Sequence, residues 1–333
     1  NRNKKSITVN IADPAGQELV RKLAAGSDVL IENYRVGALA RFGLDAATLR
    51  EACPRLIYCS ISAYGQDGPR AHEPGYDAMI QASAGLMSLT GDADGMPQKT
   101  GVAIADIMTG MYAVSAILAA VHARSLSGRG QHIDVPLFDS QLAWLANQSM
   151  NYLVSGEVPQ RHGNAHPNIV PYQSFATRDG YLMLAVGNDR QFRACAECLG
   201  CPELADDERY ARNASRVRNR SQLIPELAKC LAAETTNSWL QRLTAAGIPC
   251  GPINDLAAAF ADPQVSAREL LLKLPHSLAG TVPAVANPVR FTDTPAELRH
   301  AAPLLGEHTH EVLRQVLGCS DDEIAGLRAN GTI

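Results

Sequence analysis

SDVLIENYRVG (residues 27–37) and, further along, PRLIYCSISAYGQDGP (residues 54–69) decide the fold. Each holds a short apolar run, residues 28–32 and 56–62, that stops at a polar, glycine-bearing loop. Such runs bounded by turn residues read as buried strands. A helical pattern precedes the first: Asp13-Pro14 opens it, with Asp at the cap and Pro in the first turn, and it continues through Ala24. Strands alternating with helices predict an α/β sheet with helices on its faces. Ligands of open sheets bind beyond the carboxyl ends of the strands. The loops Asn33-Tyr34-Arg35-Val36-Gly37 and Ala63-Tyr64-Gly65-Gln66 are therefore candidate site walls.

Outward from this pair, residues 6–10 (SITVN) alternate like a strand, and helices are expected at 76–89 and 103–125. A strand at 132–136 and a helix at 139–154 follow. From Ser155 the pattern breaks into a stretch rich in Gly, Pro, His and Asn, which reads as a linker or functional loop. A second unit begins near Ile169, with a strand at 181–186 and helices at 190–199, 221–234 and 236–246. Pro-rich segments over 274–303 lead to a last helix pair at 309–317 and 320–330. The expected division is a large α/β domain over 1–154, a linker and substrate loop over 155–168, a small domain over 169–296, and C-terminal helices over 297–333 that return to the large domain.

With 46% hydrophobic and 19% charged residues, the chain has the composition of a globular protein. Its net charge of −4 comes with scattered Lys and Arg, so no electrostatic footprint for nucleic acid or an anionic membrane is visible. Residues 103–121 form the longest apolar run, but Asp106, Thr109 and Ser115 interrupt it and His122 and Arg124 close it, so a buried core helix is expected there. Cys195, Cys198 and Cys201 have metal-like spacing but sit in a helical pattern with no second ligand motif, so thiols and no metal are expected. A cytoplasmic location follows, or the mitochondrial matrix in a eukaryote.

Fingerprints of the common phosphate, hydrolase and zinc sites are absent: no G-x-G-x-x-G at a strand-to-helix turn, no P-loop, no G-x-S-x-G, no H-E-x-x-H. Asp106 stands out instead. It lies on the first turns of GVAIADIMTGMYAVSAILAAV, among Ala, Ile, Met and Val. A carboxylate facing a core costs several kcal/mol unless donors satisfy it, about the magnitude seen for unpaired buried charge. The bland alternative is a first-turn acid that complements the helix dipole.

NRNKKSITVN, ENYRVGALARFGL, IYCSISAYGQDGP, PGYDAMIQASAGLMSLTG, GVAIADIMTGMYA, GRGQHIDVPLFDS, HPNIVPYQ and LLGEHT, in this order along the chain, resemble the family III coenzyme A transferases. The resemblance is strongest to the branch with succinate–hydroxymethylglutarate and itaconate CoA transferases. It implies a Rossmann-like large domain, a smaller α+β domain and an interlocked homodimer. It implies transfer of CoA between carboxylic acids through a covalent aspartyl intermediate, with acyl-CoA and small carboxylic acids as substrates and no permanently bound cofactor. The family's acylated aspartate falls on Asp106, and a tyrosine beside it on Tyr76. CoA-contacting positions fall on Asn33, Tyr34, Arg41 and Val9. The loop that closes over the site in formyl-CoA transferase corresponds to residues 164–168, where Asn164, His166 and Asn168 replace glycines.

Two lysines that formyl-CoA transferase uses near CoA fall on Ala12 and Pro74, and the family's first strand and helix would precede Asn1. Substituting Asn164, His166 and Asn168 for glycine adds donors suited to a second carboxylate, with Arg161 and His162 just upstream, so a short dicarboxylate such as succinate is expected. Two other readings compete. An acyl-CoA racemase of the same superfamily would need a histidine where Tyr76 stands, and a tyrosine is a poor base at neutral pH. A non-catalytic CoA-binding protein would keep Asn33 and Arg41 without needing Asp106.

Overall fold

A computed structural model describes residues 1–333. The chain forms two compact units, 1–86 with 100–153 and 262–333, and 87–99 with 154–261.

The first unit is built on a parallel three-stranded sheet in the order β1 (Val29–Glu32), β2 (Ile57–Ser62), β3 (His132–Pro136). Val29 pairs with Ile57, and Cys59 pairs with Ile133. Helix α1 (Pro14–Ala25) is capped by Asp13, whose carboxylate accepts the Ala15 N–H at 3.1 Å. Helix α2 (Ala46–Ala52) is capped by Asp45 through the N–H groups of Ala47 and Thr48. These bonds satisfy donors that a helix start leaves free. Leu39, Leu44, Leu49, Leu56 and Tyr58 pack beside Ala24 into the core on this side.

The expected helix over 76–89 divides into α3 (Asp77–Ser83) and α4 (Leu86–Leu89), separated by Gly85 at a φ of 89°. Likewise the helix expected over 139–154 starts earlier and breaks into α6 (Leu137–Trp144) and α7 (Ala146–Ser155), with Ala146 at a φ of 50°. Positive φ interrupts the right-handed helical path in both cases.

Between them runs α5 (Ile104–Ser127), the one helix long and apolar enough to cross a membrane by length and composition. The expectation of a buried core helix is corrected here. Its small residues Ala105, Thr109, Ala113 and Ala120 are buried, and Ala113 meets Cys59 and Val135 of the sheet. Ile107, Met111, Val114 and Leu118 remain 51 to 64% exposed. Small side chains let the helix lie close to the sheet, and this turns the bulky ones outward. Arg124 anchors the far end: it bonds Asp28 Oδ1 at 2.8 Å, the Asp28 carbonyl and the Arg55 carbonyl, just ahead of β1 and β2.

Residues 6–10, expected as a strand, run without a strand partner. They bond the C-terminal segment instead: Thr8 N–H donates to Thr309 Oγ1 at 3.0 Å and Asn10 N–H to the Thr332 carbonyl at 2.7 Å. A two-stranded hairpin (Leu271–His276 with Gly280–Val285) also lies in this unit. Residues 262–296, expected in the small domain, thus group with the N-terminal unit, where Arg2 bonds the Val285 carbonyl and Asn3 bonds the Glu297 carbonyl.

The second unit holds an antiparallel sheet, β4 (Tyr172–Ala176), β5 (Tyr181–Ala185) and β6 (Cys250–Pro252), with β5 central. Its core gathers Leu182 and Leu184 with Phe192, Leu223, Leu227 and Trp239 from the helices Asp189–Leu199, Arg220–Leu231 and Thr236–Ala245. Cys195 and Cys201 belong to that core, where burial pushes each thiol up to about 12. All eight cysteines are free thiols.

Candidate active site

A cavity of about 570 Å³ opens in the first unit beyond the ends of β1 and β2, as expected for this kind of sheet. Loop 33–36 after β1 forms one wall and the stretch 71–76 another; the first turns of α5 close the third side with Asp106, Thr109 and Gly110. Asn33, Tyr34, Tyr76 and Asp106, chosen from the sequence, therefore line one space. Gly75 makes the second wall fit: a Cβ there would lie 2.5 Å from the Ala63 Cβ, so only glycine lets 74–76 press against the end of β2. Tyr76, the residue before α3, is 77% exposed and stands free in this space.

The position of Asp106 is set by another carboxylate. Helix α5 begins after Ala103, which has no side-chain acceptor to cap it. Asp77, in the first turn of α3, reaches across: its Oδ1 accepts the Ala105 N–H at 2.8 Å and the Asp106 N–H at 3.3 Å. Its Oδ2 accepts from Gln81 Nε2 at 2.6 Å, and Gln81 Oε1 accepts the Thr100 N–H at 2.9 Å. Burial, and then the negative charge of Asp77, push the Asp106 carboxyl above its ordinary value. Both causes disfavour the charged form.

Not every expected residue lies here. Arg41 sits in the short turn Ala40–Phe42, its guanidinium 4.4 Å from the Phe42 ring centre. Val9 packs against the cluster of Leu19, Leu313 and Ile324. Arg35 and His72 line the cavity but were not singled out from the sequence. Arg35 was within reach, because it belongs to the loop already identified as a wall. His72 carried no local signal.

Asn164, His166 and Asn168 belong to the second unit, in a tightly bonded loop. The His166 ring stacks on Tyr172 with centres 5.3 Å apart, and its Nδ1 accepts the Asn168 N–H at 3.1 Å. Asn164 Nδ2 donates to Ser174 Oγ at 2.9 Å. Arg220 donates to the carbonyls of His166 and Pro167. Burial, and then the Arg220 charge, hold both His162 and His166 below the usual imidazole range. Arg161, expected upstream as a substrate donor, instead donates to the carbonyls of Asp92, Ala93 and Gly95.

The chain matches CoA-transferase family III over residues 1–309. It is 48% identical over 321 residues to the succinate–glutarate CoA-transferase of Agrobacterium fabrum (strain C58), covering 95% of this chain and 79% of that one. Against the human succinyl-CoA:glutarate CoA-transferase it is 41% identical over 333 residues, 100% of this chain and 76% of the other. The crystal structure of a CAIB/BAIF family protein from Brucella suis superposes with a TM-score of 0.82 at 47% identity, covering 95% of this chain and 82% of that one. The chain belongs to the family III CoA-transferases and is an enzyme that moves CoA between carboxylic acids.

Proposed function

We propose that Asp106 is the nucleophile and that the acids exchanged are short dicarboxylates, succinate among them. The observation that carries the first part is the placement of Asp106 on the cavity wall shared with Asn33, Tyr34 and Tyr76. An Asp106 oxygen attacks the thioester carbonyl of the donor; the C–S bond breaks, CoA thiolate leaves, and a mixed anhydride remains on Asp106. The thiolate then attacks the aspartyl carbonyl, releasing the donor acid and leaving an aspartyl-CoA thioester. The acceptor carboxylate attacks that thioester, again expelling thiolate, and the thiolate takes the acceptor acyl group from the second anhydride. Holding these partners together supplies much of the rate, since a carboxylate is a weak nucleophile in water.

The dicarboxylate reading draws on relatives named for succinate and glutarate in Agrobacterium and humans, and for succinyl-CoA and mesaconate in Haloarcula marismortui. Asn164, His166 and Asn168 fit it as the substrate loop, since amide and imidazole donors suit a second carboxylate. Arg35 faces the cavity and is a candidate for an anionic group of CoA or of the acid. The enzyme acts as a homodimer in this reading; the exposed stripe Ile107, Met111, Val114 and Leu118 on α5 supports a second copy there.

Trapping tests the nucleophile. Succinyl-CoA without acceptor, quenched rapidly and treated with hydroxylamine, should leave a hydroxamate on the Asp106 peptide. An unmodified Asp106 accompanied by exchange of the substrate α-proton with heavy water would instead mark racemase chemistry.

A further inference from the structure

We infer that Asp77 is a positioning residue for this reaction: it caps α5 from the neighbouring helix and withholds that helix's free N–H groups from the carboxylate of Asp106. The inference rests on Asp106 as nucleophile and explains how an aspartate in a helix's first turn can serve. Such an aspartate ordinarily gains from the positive end of the helix and its unpaired N–H donors, which stabilise the anion and blunt it as a nucleophile. Here the Ala105 and Asp106 donors are already taken by Asp77 at 2.8 and 3.3 Å. Asp106 is left with a neighbouring negative charge in place of donors.

Other titratable groups near the start of α5 are Glu32, Arg35, His72, Glu73 and Tyr76 around the cavity and Asp139 in the first turn of α6, while β3 turns Ile133 and Val135 toward α5 and so carries His132 and Asp134 on its other face. Asp77 is the one bonded to the start of α5 itself, and its charge adds to burial in raising the Asp106 carboxyl. Acylation of Asp106 removes that repulsion, because the anhydride and the thioester are both neutral at the aspartyl carbon. Asp77 thereby favours each covalent intermediate over the free enzyme. Its own hold is secured by Gln81, which is fully buried and is itself fixed on Thr100.

The test measures single-turnover acylation of Asp106 by succinyl-CoA, followed by rapid quench and mass spectrometry over ~pH 4–8, the range spanning carboxyl titration. Two variants are compared with wild type, each checked for folding by thermal melting: Asp77→Asn, and Asp77→Asn with Gln81→Glu. Asparagine keeps an oxygen for Ala105 but turns an amide N–H₂ toward the amide of Gln81. The paired change restores every hydrogen bond and moves the charge one helical turn away. Asp77→Asn should slow acylation roughly 10- to 100-fold, the scale of a small misplacement, with binding of succinyl-CoA unchanged and the acid limb moved to lower pH. The paired variant should recover the part of the rate lost with the hydrogen bonds, though not the part due to the adjacent charge, while the acid limb stays low, and it decides the matter if the single variant does not fold. A folded paired variant that stays slow, or variants whose acid limb coincides with wild type, would overturn the inference. Absence of acylation in the wild type would remove the nucleophile itself, a separate failure.

Discussion

Asp77 and Asp106 belong to the first turns of two different helices, yet the Oδ1 of one accepts the backbone N–H of the other at 3.3 Å. A carboxylate that ordinarily gains from a helix start is thus set beside a second anion and partly removed from water. Its protonation behaviour follows.

The folded pKa of Asp106 lies above its unfolded value, so protonation favours the folded chain. That contribution is complete below the ordinary value of 3.8 and is lost as pH rises through the folded value. Asp106→Asn removes the titration. The variant should melt at a higher temperature than wild type at neutral pH, the gap closing in acid, and CoA transfer should fall by a factor of a thousand or more, on the order seen when a covalent nucleophile is removed. Differential scanning calorimetry across pH, beside a turnover assay, checks both; more than a few per cent residual turnover would contradict the assignment.

Substrate choice can be read from a pair of acids of equal length. Succinate should exceed butyrate in kcat/KM by about tenfold or more, a difference of about 1.4 kcal/mol. His166→Ala, which removes the ring stacked on Tyr172 and the acceptor for Asn168, should narrow that ratio. Equal use of the two acids would leave CoA transfer intact and discard the dicarboxylate reading.

In the second unit Arg216 is wholly buried. It bonds the Val170 and Tyr210 carbonyls at 2.6 and 2.8 Å, pairs with Asp189 at 2.9 Å, and lies 4.4 Å over the Phe192 ring. Asp189→Ala strands that charge, and urea denaturation should show a loss of about 1–3 kcal/mol, below the value for a fully buried pair because Asp189 is 39% exposed. An unchanged midpoint would mean that the two carbonyls alone hold the guanidinium.

Leu118, 64% exposed on α5, reports on assembly. Light scattering coupled to size exclusion should find a dimer for wild type and a smaller species or aggregate for Leu118→Arg. A wild-type monomer at micromolar concentration would dismiss the dimer.

How far the sequence could be read depended on what each pattern implied about neighbours. The parallel strands and α1 were legible because their apolar runs and the Asp13-Pro14 start are local signals. Residues 6–10 alternate as a half-buried extended segment does, but alternation cannot say whether the partner is a strand, and here it is Thr309 and Thr332. The hairpin of 271–285 was hidden by Pro275 and Pro283, which argue against a central strand; in a two-stranded hairpin each strand is an edge and tolerates them. β4 has too little alternation in YQSFA to be seen alone. In the site, Asp106 was visible as a charge in apolar company. Asp77 was not, because its role lies in a contact across 28 residues of chain.

The bond from Thr100 to Gln81 joins two points that flank the excursion of residues 87–99 into the second unit. Helix α3 lies just before the excursion and Thr100 just after it, so the chain is tied off at its root. At its far end the excursion is held separately, by Arg161 on the carbonyls of Asp92, Ala93 and Gly95. The tie at Gln81 thus isolates the Asp77–Asp106 register from the excursion's own length: a change within 87–99 is taken up along that stretch and not in the spacing of the two helix starts.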